Sequence, residues 1–130
     1  MNLKIRVDTS EMLGEIRCVK ADARITKGEL IESCPIILIP KTDWDNVKKT
    51  VLNNYQFTWD DDHDCIVLGY GSIINHSYEP NAMYTRNYGE ELMEFYTLRD
   101  IPAGQEITVN YNGDPRSKEP VDESYLDYKL

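Results

Sequence analysis

The sequence has few cysteines, no long apolar run and no surplus of basic residues. Its three cysteines, Cys18, Cys34 and Cys65, are odd in number and widely spaced, a pattern typical of neither a disulfide framework nor a zinc site. Apolar runs such as Ile36–Ile39 are far too short to cross a membrane. No apolar stretch follows the first charged residues, so we expect no signal peptide. These absences predict a soluble protein of a reducing, intracellular compartment with no membrane partner.

Acidic residues outnumber basic ones by 23 to 14, which gives a formal net charge of −9. Direct binding to DNA or RNA normally needs a basic patch or stripe, and the sequence shows none. An acidic surface instead favours a basic protein partner, such as a lysine-rich segment, because it attracts that partner electrostatically. The alternative is that the negative charge only keeps the protein soluble, and the net charge does not distinguish these two interpretations.

The composition is that of one globular domain, with 130 residues, 41% of them hydrophobic and 28% charged. Short strand-like runs separated by Gly, Pro and Asn turns predict a mainly β fold with small helical insertions. The dipeptide Tyr88-Gly89 predicts a hairpin tip between two of these runs. The predicted strands are Leu3–Val7, Ile16–Val19, Glu29–Ile39, Ala82–Arg86, Leu92–Leu98 and Ile107–Val109.

Two stretches have helical character. In the first, four apolar residues have the spacing of one helix face: Trp44, Val47, Val51 and Leu52. This predicts a short helix that begins near Thr42 or Asp43, either of which is a suitable N-cap residue. In the second, Gly71–Ile74 predicts one further helical turn.

The pattern Ile-x-x-Gly-x-x-Ile occurs twice, at Ile25–Ile31 and at Ile101–Ile107. We expect Gly28 and Gly104 to adopt a positive φ in tight turns that lead into new strands. The repetition indicates two similar β units folded together. Coincidence between common turn types is the alternative.

Two polar segments carry the functional signal. Asn75-His76-Ser77 lies between apolar residues and a turn, and polar side chains so near a core need hydrogen-bond partners. A polar ligand supplies such partners, but an isolated turn with a satisfied histidine does so too. The second segment, Glu106–Gly113, ends a strand at Tyr111 and then turns. A tyrosine there is ordinarily half-buried packing, so neither segment is decisive alone.

Together and in this order, the two segments resemble the signature motifs of SET-domain protein methyltransferases. The first motif is Asn75-His76-Ser77-x-x-Pro80-Asn81, and the second, about thirty residues later, is Glu106-Ile107-Thr108-x-x-Tyr111. The stretch Ile25–Ile31 is similar to the family's early strand-turn-strand. Leu68–Gly71 and Asn54–Phe57 are similar to the same regions of short viral and prokaryotic members. The resemblance covers roughly residues 14 to 114.

The resemblance implies a β-clip-like SET fold with a C-terminal pseudoknot, in which these two segments cross. It implies S-adenosylmethionine as cofactor and transfer of its methyl group to a lysine of a protein substrate. Asn75, His76, Arg17 and Tyr111 would then contact the cofactor, with Tyr111 as the catalytic residue. Tyr55 and Tyr70 would line the lysine channel. The short form implies the cytoplasm, or the nucleus if the source is eukaryotic.

The reaction type explains these residues. An in-line displacement by an amine depends on alignment and exclusion of water, with neither a metal nor a covalent nucleophile. The amine must be neutral, and an aromatic channel favours the neutral form by desolvation. His63 stands in an acidic run, Asp60–Asp64, but no ordered ligand spacing is evident. We therefore interpret that run as a solvated turn rather than a metal loop.

The sequence departs from the family in its first cofactor loop and its flanks. Ile16-Arg17-Cys18 stands where the family carries Gly-x-Gly, although Gly14 is nearby. No second aromatic follows Tyr111, and flanking zinc-binding cysteine clusters are absent from the sequence. We therefore divide the chain into a SET domain over 1–114 and a polar tail over 115–130. Within this tail, Tyr125–Tyr128 is a candidate lid over the site.

Three functional hypotheses follow. The first is an active lysine methyltransferase that acts on a basic segment of a chromatin or ribosomal protein and forms a homodimer. The second is a degenerate SET domain that binds protein or cofactor without turnover, which the altered first loop favours. The third is an unrelated β-rich binding domain, which requires the Asn75 and Tyr111 segments to lie far apart.

Overall fold

The computed structural model describes residues 3–10 and 16–121. Within them the chain forms nine strands, one α-helix and two short 3₁₀ helices. In chain order the elements are β1 Ile5–Thr9, β2 Arg17–Ala21, β3 Leu30–Pro40, α1 Lys41–Val47, a 3₁₀ helix Val51–Asn54, β4 Gln56–Thr58, β5 His63–Val67, a 3₁₀ helix Gly71–Ile73, β6 Asn75–His76, β7 Ala82–Asn87, β8 Leu92–Thr97 and β9 Glu106–Val109. The prediction of a mainly β fold with small helical insertions is confirmed.

The strands form two sheets. The four-stranded sheet has the order β1-β2-β9-β6, and the five-stranded sheet has the order β4-β5-β3-β8-β7. All neighbours are antiparallel except β6 and β9, which run parallel. No helix of the described residues is long and apolar enough to span a membrane.

Alternating side chains of the five-stranded sheet contribute a large part of the apolar core. In β8 the buried residues are Met93, Phe95 and Thr97, one on every second position, as the period of a strand requires. The 3₁₀ helix Gly71–Ile73 packs directly onto this face. A Cβ at Gly71 would lie 2.5 Å from Phe95 Cε1, so only glycine permits this close approach.

The two Ile-x-x-Gly-x-x-Ile turns are paired with each other. Ile25 and Ile101 exchange backbone hydrogen bonds in both directions, at 2.9 and 2.8 Å. Gly28 and Gly104 have φ of 81° and 88°, which confirms the predicted left-handed turns. The two β units are therefore joined through their turns, and coincidence is not needed to explain the repeat.

The predicted short helix is present within a residue or two of its predicted start, but the prediction was wrong in its cap and its apolar face. Helix α1 begins at Lys41 behind Pro40, without a side-chain cap, and buries none of its residues. It ends before Thr50, whose Oγ1 accepts the backbone N–H of Leu52 and starts a separate 3₁₀ helix. Val51 is consequently 64% exposed instead of facing a core. The further turn predicted at Gly71–Ile74 is confirmed as the second 3₁₀ helix.

Three strands were not predicted: β4, β5 and β6. Strand β5 was missed because the acidic residues around His63 do not have the apolar pattern of a strand. In β5, Asp64 is buried and Cys65 pairs with Leu38 of β3. The predicted hairpin tip between β7 and β8 is confirmed, but the residue with positive φ is Glu91 and not Gly89.

Candidate active site

The two signature segments meet in the four-stranded sheet. Asn75 and His76 of β6 lie beside Thr108 and Val109 of β9 in parallel register. The backbone N–H of Ser77 extends the pairing by donating to Val109 O at 2.9 Å. The convergence expected of the pseudoknot is therefore present. The hypothesis of an unrelated β-rich domain required these segments to be distant, and it is wrong.

Tyr111 is held at three of its polar atoms. Its backbone N–H donates to His76 Nδ1 at 3.0 Å, and its carbonyl accepts from the Tyr84 hydroxyl at 3.3 Å. Its own hydroxyl donates to the carbonyl of Ile74 at 2.7 Å. Since the phenolic proton is engaged, hydrogen bonds between this oxygen and a substrate amine would be accepted ones. Tyr84 is buried, and that burial raises the pKa of its phenol and keeps it a donor.

His76 connects two aromatic rings. Its Nδ1 accepts a backbone hydrogen bond, so the neutral imidazole carries its proton on Nε2. The ring packs edge-on against Tyr78 with centroids 4.4 Å apart and is tilted against Tyr111 at 5.2 Å. The imidazole is therefore fixed by packing on both sides and by one hydrogen bond.

Asn75 ties three strands together. Its side chain is buried, and Nδ2 donates to the carbonyl of Arg17 at 2.8 Å and to Glu106 Oε2 at 3.1 Å. The other carboxylate oxygen of Glu106 accepts from Ser10 Oγ at 2.5 Å. The side-chain nitrogen of Asn75, a residue predicted to contact a cofactor, is thus bonded within the protein. Its hydrogen bonds fix the backbone of Arg17 relative to β6 and β9.

Asn81 and Glu106 were not singled out as site residues, although both stand in the signature motifs. Asn81 is buried and bonds the edge of β9 twice, donating to Glu106 O at 2.8 Å and accepting from Thr108 N at 2.9 Å. Its amide therefore substitutes for a neighbouring strand. The motif positions were the available signal, but the sequence alone did not indicate that they bond to each other.

Arg17 and Tyr55 lie together at the surface. Arg17 Nη2 lies 3.1 Å from the Tyr55 hydroxyl, which accepts its hydrogen bond. Ile16 and Cys18, the other two residues in place of Gly-x-Gly, are both buried. Burial, with a smaller contribution from Glu106, raises the pKa of Cys18 to about 11, so it is a neutral thiol near neutral pH. Only the Arg17 side chain projects outward from this part of β2.

Tyr70 is positioned from β3. Its backbone N–H donates to Glu32 Oε1 at 2.9 Å, and its half-buried side chain packs against the core. The preceding Gly69 has a φ of 76°, and a Cβ there would lie 2.5 Å from Glu32 Oε2. The structure thus joins Tyr55 to the Arg17 and Asn75 group and anchors Tyr70 through Glu32.

The acidic run is a turn followed by a strand. Asp60–Asp62 are exposed, as predicted, but His63 begins β5. Its Nδ1 lies 2.9 Å from Asp60 Oδ1, and this hydrogen bond lowers the pKa of the Asp60 carboxyl. Residues 3–10 and 16–121 contain no group of three or more side chains placed to hold a metal. The lid candidates Tyr125–Tyr128, like Gly14, lie outside the described residues.

A cleft of about 410 Å³ lies beside the loop that follows β6. Its lining is polar and of mixed charge, and it includes Lys20, Asn81, Arg99 and Glu106. Positive and negative groups alternate there, and Glu106 is already bonded to Asn75. This cleft gives no chemical reason to assign it to methyl transfer.

Comparison with known proteins assigns the family. A family model described as the SET domain matches residues 17–112. The chain belongs to the SET-domain family. It is 30% identical over 82 residues to the histone-lysine N-methyltransferase, H3 lysine-37 specific, of Schizosaccharomyces pombe. The aligned residues are 62% of this chain and 56% of that protein. It is 35% identical over 63 residues to a protein assigned as SET domain-containing in Acanthamoeba polyphaga mimivirus, which is 48% of this chain and 22% of that protein.

The SET fold is also seen in a solved structure. A crystal structure from Plasmodium falciparum, of a protein assigned as a histone methyltransferase, superposes with a TM-score of 0.69 at 27% identity. The match covers 85% of this chain and 95% of that one. The aligned regions thus span most of the solved chain, but 56% and 22% of the two curated relatives.

Proposed function

We propose that this SET domain transfers a methyl group from S-adenosylmethionine to the ε-amine of a lysine in a protein. The observation that carries the proposal is Tyr111, whose phenol is held by Ile74 and whose backbone is held by His76 and Tyr84. The similarity to a histone-lysine N-methyltransferase supports the same reaction class.

The residues present suit the cofactor. Side chains in place of the family's glycine pair raised a doubt, because they could fill the space that the cofactor needs. Ile16, just before β2, and Cys18, within it, are both buried against the protein, so the doubt concerns chiefly the exposed Arg17. Arg17, the backbone of Asn75 and His76, and Tyr111 would hold the cofactor. When bound, it supplies an electrophilic methyl group on a sulfonium.

Tyr111 has the chemistry to orient the attacking amine. Its phenolic proton is donated to the carbonyl of Ile74, so its oxygen can accept a hydrogen bond from an N–H of the substrate amine. Such a bond would orient the amine so that its lone pair faces the methyl group of the cofactor. A free lysine with a pKa of roughly 10.4 is about 0.04% neutral at pH 7. Aromatic walls, for which Tyr55 and Tyr70 are the candidates, would raise that fraction by disfavouring the charged form. We propose that these tyrosines act by desolvation.

We propose a lysine within a basic protein segment as the substrate, for example in a chromatin or ribosomal protein. The net charge of −9 and the exposed carboxylates of Asp60–Asp62 support electrostatic attraction of such a segment. We also propose the cytoplasm, or the nucleus of a eukaryote, as the compartment. The three buried free cysteines suit a reducing environment. The homodimer stays a prediction that sedimentation velocity tests.

The test is methyl transfer from labelled S-adenosylmethionine to a mixture of histones and ribosomal proteins. Wild-type protein should transfer label, and Tyr111→Phe should lower the rate by about 10²-fold because the amine loses its orienting oxygen. Tyr88→Phe is the matched control, since the Tyr88 hydroxyl bonds Trp59 O, and both residues lie just after strands of the five-stranded sheet. Calorimetry of cofactor binding accompanies the assay. Cofactor binding without transfer would replace the proposal by the degenerate module, and absence of both binding and transfer would remove the proposal and leave at most a module that binds protein.

A further inference from the structure

The segment 114–121, here called the strap, returns from Tyr111 to the loop after β6. The backbone N–H of Val121 donates to the Tyr78 hydroxyl at 3.1 Å. Lys118 Nζ donates to the Tyr78 carbonyl at 3.3 Å. Two atoms of one residue therefore hold the outer part of the strap.

The inner part of the strap is held by the residues on either side of Tyr111. Asn110 Nδ2 donates to Ser117 O at 2.8 Å, and Asn112 Nδ2 donates to Glu119 O at 2.8 Å. Asn110 is buried, which makes its bond to the strap costly to leave unmade. A displacement of the strap would therefore disturb the backbone on both sides of Tyr111.

Tyr78 also packs into the site from the opposite side. Its ring meets His76 edge-on at 4.4 Å, and His76 Nδ1 accepts the backbone N–H of Tyr111. The ring of Tyr78 thus contacts His76, while its hydroxyl and carbonyl contact the strap.

We propose that Tyr78 is a positioning residue that fastens the strap to the active site and thereby fixes His76 and Tyr111 for methyl transfer. The ring and the hydroxyl have separate tasks: the ring supports His76, and the hydroxyl holds Val121. The fastening is the set of contacts that Tyr78 makes: hydrogen bonds to the strap and one ring contact with His76. The role of these contacts in catalysis rests on the proposed function, but their role in holding the strap does not.

Amide hydrogen exchange tests the fastening without any activity. Tyr78→Phe removes only the hydroxyl, so exchange at Val121 should rise several-fold, up to about tenfold, for one lost hydrogen bond. Tyr78→Ala should raise exchange across the strap further. Tyr88→Phe, which removes the hydroxyl of a tyrosine in the turn between β7 and β8, should leave the strap unchanged. Strap exchange equal to wild type in both Tyr78 variants overturns the proposal, whatever the activity.

Val121→Pro tests the same bond from the strap side, because proline has no N–H to donate to the Tyr78 hydroxyl. If the bond is the fastening, Val121→Pro and Tyr78→Phe should each raise the KM for S-adenosylmethionine several-fold. Their combination should do little more than either alone. Additive effects in the double variant would overturn the pairing.

The kcat for methyl transfer tests whether the Tyr78 ring supports His76. It is measured at a temperature where thermal melts show that every variant is folded. Tyr78→Phe keeps the ring and should keep kcat within about twofold of wild type. Tyr78→Ala should lower kcat by about tenfold or more, because Tyr111 loses its support through His76. Equal kcat in both would overturn this part. An inactive wild-type protein would instead overturn the proposed function and leave the exchange result standing.

Discussion

The two sheets of this protein differ in how much bonded polar structure they bury. The five-stranded sheet buries mainly apolar side chains, such as Phe95, Met93 and Val67. The four-stranded sheet also buries apolar side chains, Val19 and Ile107 among them, but it adds the hydrogen-bonded polar pair Asn75 and Glu106. Apolar packing gains free energy in proportion to area and has little directional demand. Buried amides and carboxylates need partners at set distances and angles, so they specify one arrangement.

This difference explains where the site lies. Methyl transfer requires an aligned phenol and backbone, and alignment is what a bonded polar network supplies. The five-stranded sheet then provides the stability that the polar network does not. Mutations in the polar network of the four-stranded sheet should therefore alter activity more than stability. Mutations in the apolar core of the five-stranded sheet should do the reverse.

The largest expected effect is on stability, from Phe95→Ala in the five-stranded sheet. Phe95 is fully buried, contacts the rings of Phe57 and Tyr84, and is approached closely by Gly71. Its truncation should lower the free energy of unfolding by about 3–5 kcal/mol through lost burial and a cavity. Urea denaturation measures this. A loss below about 1 kcal/mol would mean that the sheet repacks around the missing ring. The five-stranded sheet would then not be the main source of stability.

An intermediate effect is expected from Asn81→Ala, which removes the side chain that bonds β9 of the four-stranded sheet. The change leaves Thr108 N and Glu106 O without their side-chain partner, which should cost about 1–3 kcal/mol. Asn87→Ala in the other sheet is the control, since Asn87 Oδ1 accepts one exposed turn N–H, that of Glu90. It should cost less than about 1 kcal/mol. If the asymmetry is real, methyl transfer measured on folded protein falls for Asn81→Ala and not for Asn87→Ala.

The smallest effect concerns the thiols of the two sheets. Burial raises the pKa of Cys18 to about 11 and of Cys65 to about 12, and it raises that of Cys34 beyond these. Since the thiolate is the reactive form and all three thiols are fully buried, iodoacetamide at pH 8 should modify them more slowly in the folded protein than in urea, by about tenfold or more. Mass spectrometry of time points measures both rates. Equal rates in the two conditions would contradict the burial of these thiols.

The same thiols set a direction for stability against pH. A thiol whose pKa is higher in the folded state than in the unfolded chain stays protonated while the unfolded form ionises. Stability is therefore unaffected by these groups below about pH 9 and should fall as the pH rises from there through about 11. Thermal melts across this range, with Cys18→Ser as comparison, provide the check.

The parts of the fold that local chemistry determines were predictable from the sequence. Gly28 and Gly104 lie in turns that favour glycine, and β8 alternates with a period of two. Strands β4 and β6 have three and two residues and are too short to show a period. The apolar spacing that suggested one helix failed because Thr50 starts a new 3₁₀ helix through its own side chain.

The site was predictable to the extent that motif order reports proximity. Asn75, His76 and Tyr111 do converge. Which atoms bond was not predictable, because the partner of each polar group depends on tertiary contacts. The Asn75 amide nitrogen donates to Arg17 O and Glu106, and Tyr78 meets a strap some forty residues further along the chain. Periodicity and propensity contain no information about such pairs.

The parallel pairing of β6 with β9 has a consequence for when the candidate site can form. Hydrogen bonds around this pairing join residues that are distant in the chain: His76 and Tyr111 are 35 positions apart, and Ser10 and Glu106 are 96 apart. Contacts of such separation are slow to form, since the entropy of closing long loops must first be overcome. A chain still emerging from the ribosome, without β9, has no place for Tyr111 beside His76. The candidate site is therefore complete only after β9 and Tyr111 have been added.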